Sequence, residues 1–262
     1  MTKGVIVPAP HDAIRIVPLH RPDVGTPIGA AALPAAQGGP QLTYRGGPLL
    51  TNVEVFTIFW GSPWLRADLL ALRGNIEKFY DYILTSPLLT QLAEYSVAGK
   101  TIGPGKHVGT IGVTTPKLKA SVSDTAIKHM LQSEIAGTPA VPQPGPNTLY
   151  FVYLPPGVRV TQGGAASCQA FCGYHSDISS QIFYAVMPYP GCSGCTGGAS
   201  VLDALTSTSS HELCEAITDP IPGLGWYDDV NGEIGDICAW QTKKLGIYTV
   251  QLEWSNAAGK CL

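Results

Sequence analysis

Two absences in this sequence exclude whole classes of function: it has no run of lysines and arginines and no apolar stretch of 18 residues. Without the first there is no electrostatic footprint for nucleic acid or for an anionic membrane surface. Without the second, no transmembrane helix is expected. Charge of either sign is scarce, at 13% of residues with a formal net of -3. Hydrophobic residues nevertheless reach 45%, which is not the balance of a disordered chain. No Gly-x-Ser-x-Gly elbow occurs, so Ser-His-Asp hydrolysis has no anchor. The glycine-rich stretch 191–198 lacks both the lysine and the spacing of a phosphate loop. Internal repeats are missing too, and cysteine is absent from the first 167 residues.

What is present points outward from the cell. Gly (30) and Pro (22) promise many turns and long ordered loops. Seven cysteines, at 168, 172, 192, 195, 214, 238 and 261, crowd the C-terminal part. With low charge and many Gly, Ser and Thr, they fit a secreted protein with disulfides. Cys238 and Cys261 bracket a final hairpin and are read as a pair. Cys168, Cys172, Cys192 and Cys195 have CxxxC…CxxC spacing, which a structural zinc ribbon would share, but the composition favours disulfides. Cys214 falls inside a helix and reads as an unpaired, buried thiol. Residues 1–40 show neither the basic segment nor the apolar run of a secretory signal. Residues 1–41 read as a Pro/Gly-rich extended N-terminal arm or pro-segment, and 42–262 as a single domain.

Strand-like runs alternate with helical ones. The β-branched and aromatic run 53–60 is a strand, and 65–84 is a helix with Leu65, Leu69, Leu72, Ile76, Phe79, Tyr80 and Ile83 on one stripe. A short helix over 88–95 and a strand over 106–114 follow. Ser123 caps a helix reaching 135, and 137–146 is a Pro-rich loop. Strands are expected at 148–154 and 181–187, and a last helix at 201–217, stopped by Asp219-Pro220. A terminal β region includes 247–254. The fold class is α/β: one layered domain with a mixed, mostly parallel β-sheet flanked by helices, of a zinc-peptidase-like kind.

The last helix carries the chemistry. In Ser210-His211-Glu212-Leu213-Cys214-Glu215, residues 211 and 215 lie one turn apart on one face and can share a cation. The pattern is His-Glu-x-x-His with the second histidine replaced by a carboxylate, which zinc accepts. The more oxygen-rich set also leaves room for calcium or manganese. A third ligand is expected from Glu233 or Asp236 in Gly-Glu-Ile-Gly-Asp-Ile-Cys, with Asp219 next. Whichever of the two is not on the metal is free to support His211 from outside. Glu212 is placed as general base on a metal-activated water, and His175 or Tyr227 as oxyanion stabiliser. A bare His-Glu-x-x-Glu also occurs by chance on solvated helices. Here it follows Thr206-Ser-Thr-Ser-Ser210 and is interleaved with Leu213, Cys214, Ala216 and Ile217, so its charges sit on a helix built for burial.

A chain of landmarks around these residues resembles the EXORDIUM or phosphate-induced protein family of plant cell-wall proteins and their bacterial relatives. They include Tyr44-Arg-Gly-Gly-Pro-Leu-Leu50, Ile58-Phe-Trp-Gly61, Cys172-Gly-Tyr-His175, Pro190-Gly-Cys-Ser-Gly-Cys195, Ser210 to Pro220, Trp226-Tyr227 and Glu233-Ile-Gly-Asp-Ile-Cys238. Val250-Gln-Leu-Glu-Trp-Ser255 and Cys261 complete the series, which spans about residues 42–262. The resemblance implies an extracellular location and a growth- or stress-related role, without a defined biochemical activity. Plant members tend to have Asn where this chain has Asp219, which argues against that residue as an essential ligand. The loop between Trp226 and Glu233 is shorter here, which would leave the site more open.

Two functions are therefore expected. The first is a secreted zinc-dependent hydrolase, a metallopeptidase acting on a peptide or protein substrate. The alternative is a non-catalytic extracellular binding or signalling protein with a structural metal ion.

Overall fold

The computed structural model describes residues 16–19 and 39–262, so most of the expected N-terminal arm lies outside the described residues. Six strands form the main sheet: β1 (Ile16–Pro18), β2 (Glu54–Trp60), β3 (Lys106–Val113), β4 (Thr148–Tyr153), β5 (Phe171–Ile178) and β6 (Ile182–Met187), in spatial order β1-β5-β6-β4-β2-β3. β3, β2, β4 and β6 run parallel, whereas β5 is antiparallel to β6 and pairs antiparallel with β1. The expected mixed, mostly parallel sheet is what forms.

Strand alternation sorts the sheet's side chains into two cores. Val55, Phe59, Leu149, Phe151, Tyr153, Ala185 and Met187 face one side, against helices α1 (Ala67–Ile83) and α3 (Val201–Thr218). Phe56, Ile58, Trp60, Tyr150, Val152, Tyr184 and Val186 face the other, against Ile127, Met130, Leu131 and Ile135 of α2 (Asp124–Gly137). The Ser123 hydroxyl accepts from the Ala126 amide at the start of α2, as its position before the helix implies. α1 starts two residues later than the periodicity suggested. Pro63 sits in a 3-10 turn over Ser62–Leu65, which leaves Leu65 64% exposed and off the stripe.

β5 was not legible in the sequence. Phe-Cys-Gly-Tyr-His-Ser-Asp-Ile is poor in strand formers, yet Phe171 to Ser176 are buried and paired. Tertiary packing overrides propensity there. A C-terminal hairpin of β7 (Thr242–Leu245) and β8 (Tyr248–Gln251) closes over α3. α3 is thus held between β5 and β6 on one side and β8 on the other, and it is buried continuously from Ala204 to Thr218.

Three disulfides form: Cys168–Cys192, Cys172–Cys195 and Cys238–Cys261. Cys214 is free and buried, as expected. Among the described residues no helix is long and apolar enough to cross a membrane.

Candidate metal centre

α3 begins at Ser200, whose hydroxyl accepts from the Asp203 amide (3.1 Å), and then passes through the unbroken Ser/Thr run 206–210. Buried hydroxyls need acceptors. Thr206 donates to the Thr249 carbonyl (2.7 Å), Ser210 to the Ser207 carbonyl (2.7 Å), and Ser209 shares a hydrogen bond with the Tyr153 hydroxyl (2.7 Å). The helix can therefore carry its next residues, His211, Glu212 and Glu215, into the interior.

His211 is the least satisfied of them. Its Nε2 lies 2.9 Å from Glu215 Oε1 but is not aligned for a hydrogen bond, and neither ring nitrogen has a hydrogen-bond partner. Glu215 Oε1 accepts from the Asp236 amide (3.2 Å), while Glu215 Oε2 turns towards His175 Nδ1, 3.4 Å away. His175, on β5, differs from His211 in being held at both ends. Its Nδ1 faces Glu212 Oε2 (3.2 Å), and its Nε2 faces the Asp219 carbonyl (3.1 Å) and Glu233 Oε1 (3.5 Å).

The loop behind the helix is shaped to reach this spot. The Asp236 carboxylate folds back to accept from the Glu233 amide (3.1 Å), and the backbone at Gly235 lies flat against the His211 ring. A Cβ at Gly235 would come within 2.7 Å of His211 Nδ1. The Asp219 carboxylate accepts from the amides of Gly223 (2.6 Å), Leu224 (3.0 Å) and Gly225, which shapes the turn after α3.

Electrostatics then set the chemistry. His175, His211, Glu212, Glu215, Glu233 and Glu253 are all fully buried. Among the described residues no lysine or arginine lies in ion-pair range of Glu212, Glu215 or Glu233. Burial opposes charge on both imidazoles, but the carboxylates outweigh it. Glu233, Glu212 and Glu215 raise His175 well above its usual value, and Glu215, Glu212 and Glu253 do the same for His211. Glu215, in spite of burial, is held at about 2 by His211 and His175. Burial pushes Glu212 up, and Glu233 and Glu253 far up.

Four buried glutamates thus face two imidazoles, and both oxygens of Glu233 and of Glu253 lack hydrogen-bond partners. A buried carboxylate without hydrogen bonds costs several kcal/mol or takes up a proton. A divalent ion would relieve that cost, and the donors present suit one. Within this cluster two groups of three offer ligand atoms all within 4.8 Å of one another: His211, Glu215 and Asp236, and His175, Glu212 and Glu215. The His211 Nε2–Glu215 Oε1 separation of 2.9 Å would open to about 3.3–3.6 Å for both atoms to share a tetrahedral ion with bonds of 2.0–2.2 Å.

Of the expected ligands, His211, Glu215 and Asp236 are brought together, while Glu233 sits on the far side against His175. Expected as an oxyanion donor, His175 instead lies within the carboxylate cluster beside Glu212. Tyr227 stands in a two-residue strand opposite Thr43, with the Arg45 guanidinium over its ring (4.5 Å). Glu253 was missed, although a lone acid in the apolar run 247–254 was a usable signal. The site is not open: the side chains of His175, His211, Glu212, Glu215 and Glu233 are closed off from solvent. Surface clefts lined by Pro144 and Lys100, and by Trp60 and His129, include none of the cluster residues.

Compared with known proteins, the chain matches no family model, and no curated protein matches it.

Proposed function

We propose that this cluster is the metal centre of a peptide-bond hydrolase, with zinc held by His211, Glu215 and Asp236 and with Glu212 as general base. The observation that carries this reading is His211: a fully buried imidazole whose Nδ1 lacks a hydrogen-bond partner, whose Nε2 meets the Glu215 carboxylate at 2.9 Å, and which stands beside the Asp236 carboxylate. Bound there, a divalent cation supplies Lewis acidity and lowers the pKa of water towards neutrality. One imidazole with carboxylates suits zinc, and calcium or manganese are the alternatives this oxygen-rich set admits.

The remaining roles belong to the chain's own groups. Glu212 accepts the proton of the attacking water on its carboxylate and returns it to the leaving amine. His175, 3.2 Å from that carboxylate and anchored to the Asp219 carbonyl, fixes its orientation and shares its charge. Glu233 Oε1 faces the far side of His175, 3.5 Å from Nε2.

Wider features support the reading. The helix bearing His-Glu-x-x-Glu packs on the face of a sheet whose strand β5 runs against its neighbour β6, a layout suited to a zinc-peptidase-like fold. Three disulfides argue for an oxidising, extracellular setting. The ordered landmarks support kinship with the EXORDIUM family.

The complete burial of the cluster favours one other reading, a non-catalytic extracellular binding or signalling protein in which a structural ion pins α3 to the loop behind it. Metal analysis and a peptide-turnover assay on purified protein separate the two. The expected result is about one equivalent of zinc, with Glu212→Gln keeping the ion and turnover falling about 10²- to 10⁴-fold. A bound metal whose chelation lowers the melting temperature, with no turnover by the wild type, would shift the conclusion to the structural ion. Neither metal nor turnover would remove both.

A further inference from the structure

β1 is an unusual edge strand. It has three residues, one of them proline, and meets β5 across a bulge, with Ile16 opposite Tyr174, Val17 opposite Gly173 and Pro18 opposite Phe171. A strand this short, lacking one amide, draws little from ladder hydrogen bonds. Other contacts hold it. The Pro18 carbonyl accepts from Trp240 Nε1 (3.0 Å), and Trp240 itself has a left-handed backbone (φ 66). Such strain in a bulky residue is found where the surroundings impose it, often at binding sites. Val17 is buried against Cys172 and Cys195, with Leu19 and Trp240 alongside. Leu19 rests on Gly194, where a Cβ would come within 3.2 Å of its side chain.

This seat adjoins the metal centre. α3 lies against β1 as well as β5. Gly173, the partner of Val17, turns its bare face to α3, and a Cβ there would stand 2.7 Å from Thr208 Cγ2 and 3.1 Å from Glu212 Oε1. His175 follows two residues along β5. Any chain paired with Gly173 therefore runs beside Glu212 and His175.

We propose that the outer edge of β5 is a binding site for an extended peptide, and that Ile16–Leu19 is its resident, displaceable occupant. The ligand class follows from the seat. It needs main-chain groups free to pair antiparallel with β5, and a small or β-branched aliphatic side chain at the Val17 position to enter the pocket of Cys172, Cys195 and Trp240. That this ligand is also the substrate rests on the hydrolase reading; that it binds does not. A tethered occupant competes at an effective concentration of the order of millimolar, so the intact chain masks its own site.

The test uses full-length protein and a fluorescently labelled hexapeptide with the sequence of residues 14–19, Ile-Arg-Ile-Val-Pro-Leu. Binding is followed by anisotropy for the wild type and for Val17→Asp, which places a charge in the apolar pocket and evicts the resident strand. The expected result is binding at least tenfold tighter to Val17→Asp than to the wild type. Equal affinities for a folded Val17→Asp, or no binding by either protein, would overturn the proposal. Should Val17→Asp fail to fold, Leu19→Ser, which loosens the strand more gently, is read by the same criterion. Cleavage of the peptide is monitored in the same samples. Tight binding without cleavage upholds the edge site and counts against the hydrolase reading, whereas cleavage without a difference in affinity does the reverse.

Discussion

At the scale of single residues, the centre depends on one close approach. Gly235 has an ordinary negative φ of -79, so its identity is not dictated by backbone strain. It is dictated by His211, whose ring fills the space a Cβ would take. Gly235→Ala should therefore act through His211. The methyl group must push the imidazole or the loop aside, at about 1–3 kcal/mol of stability, and metal affinity should fall about 10- to 100-fold, as when a supporting contact to a ligand is lost. Thermal melts and competition with a metal indicator measure both; an unchanged metal affinity would show that His211 holds no ion. Asp219 illustrates the opposite case. It neighbours the centre in sequence and in space, yet three backbone amides occupy its carboxylate, so its conservative replacement should disturb the turn rather than the ion.

At the scale of elements, α3 is the piece on which sequence and structure agree most closely. Read as 201–217, it spans Val201–Thr218, and its stop at Asp219-Pro220 and the shared face of His211 and Glu215 follow from the following proline and helical spacing. Its first turn also holds a titratable contact. Lys244 and then Thr249 hold the Asp203 carboxyl at about 2, below its usual value near 3.9. A depressed carboxyl stabilises the fold above about pH 4, and that gain disappears as the pH falls through about 2. Asp203→Asn should thus cost about 1 kcal/mol at pH 7, after allowing for solvent screening at this half-exposed site, and almost nothing near pH 2. Urea unfolding at the two pH values checks this; an equal cost at both would deny the charge its role. β5 marks the limit of sequence reading. Its Cys, Gly, His, Ser and Asp are weak strand formers, and only α3 and β6 packing around them makes the strand. With β5 unread, the placement of His175 beside Glu212 could not be foreseen. The pairing of Glu233 with His175 rather than His211 depends on how the loop 231–238 folds back, which no local spacing specifies.

At the scale of the whole molecule, two cores on either face of one sheet give the rigidity, and covalent links secure what lies outside them. Cys238–Cys261 ties the turn Asp236–Cys238 to the C-terminal strand Lys260–Cys261, two residues from a proposed ligand. Cys168–Cys192 brackets β5 and β6 in sequence, away from that loop, and carries no ligand. Removing either link should cost about 3 kcal/mol for loops of this length, or roughly 6–12 °C in melting temperature. Only the Cys238→Ala/Cys261→Ala variant should also weaken metal binding. Equal metal affinity in both variants would mean that the loop is positioned without its disulfide. The proposed metal chemistry depends on whether His211, Glu215 and Asp236 grip one ion. The most direct measurement is anomalous diffraction at the zinc absorption edge from crystals of protein reconstituted with zinc. A single strong peak between the three side chains is expected, absent in crystals of His211→Ala. A zinc peak elsewhere, or none with those side chains unmoved, would contradict it.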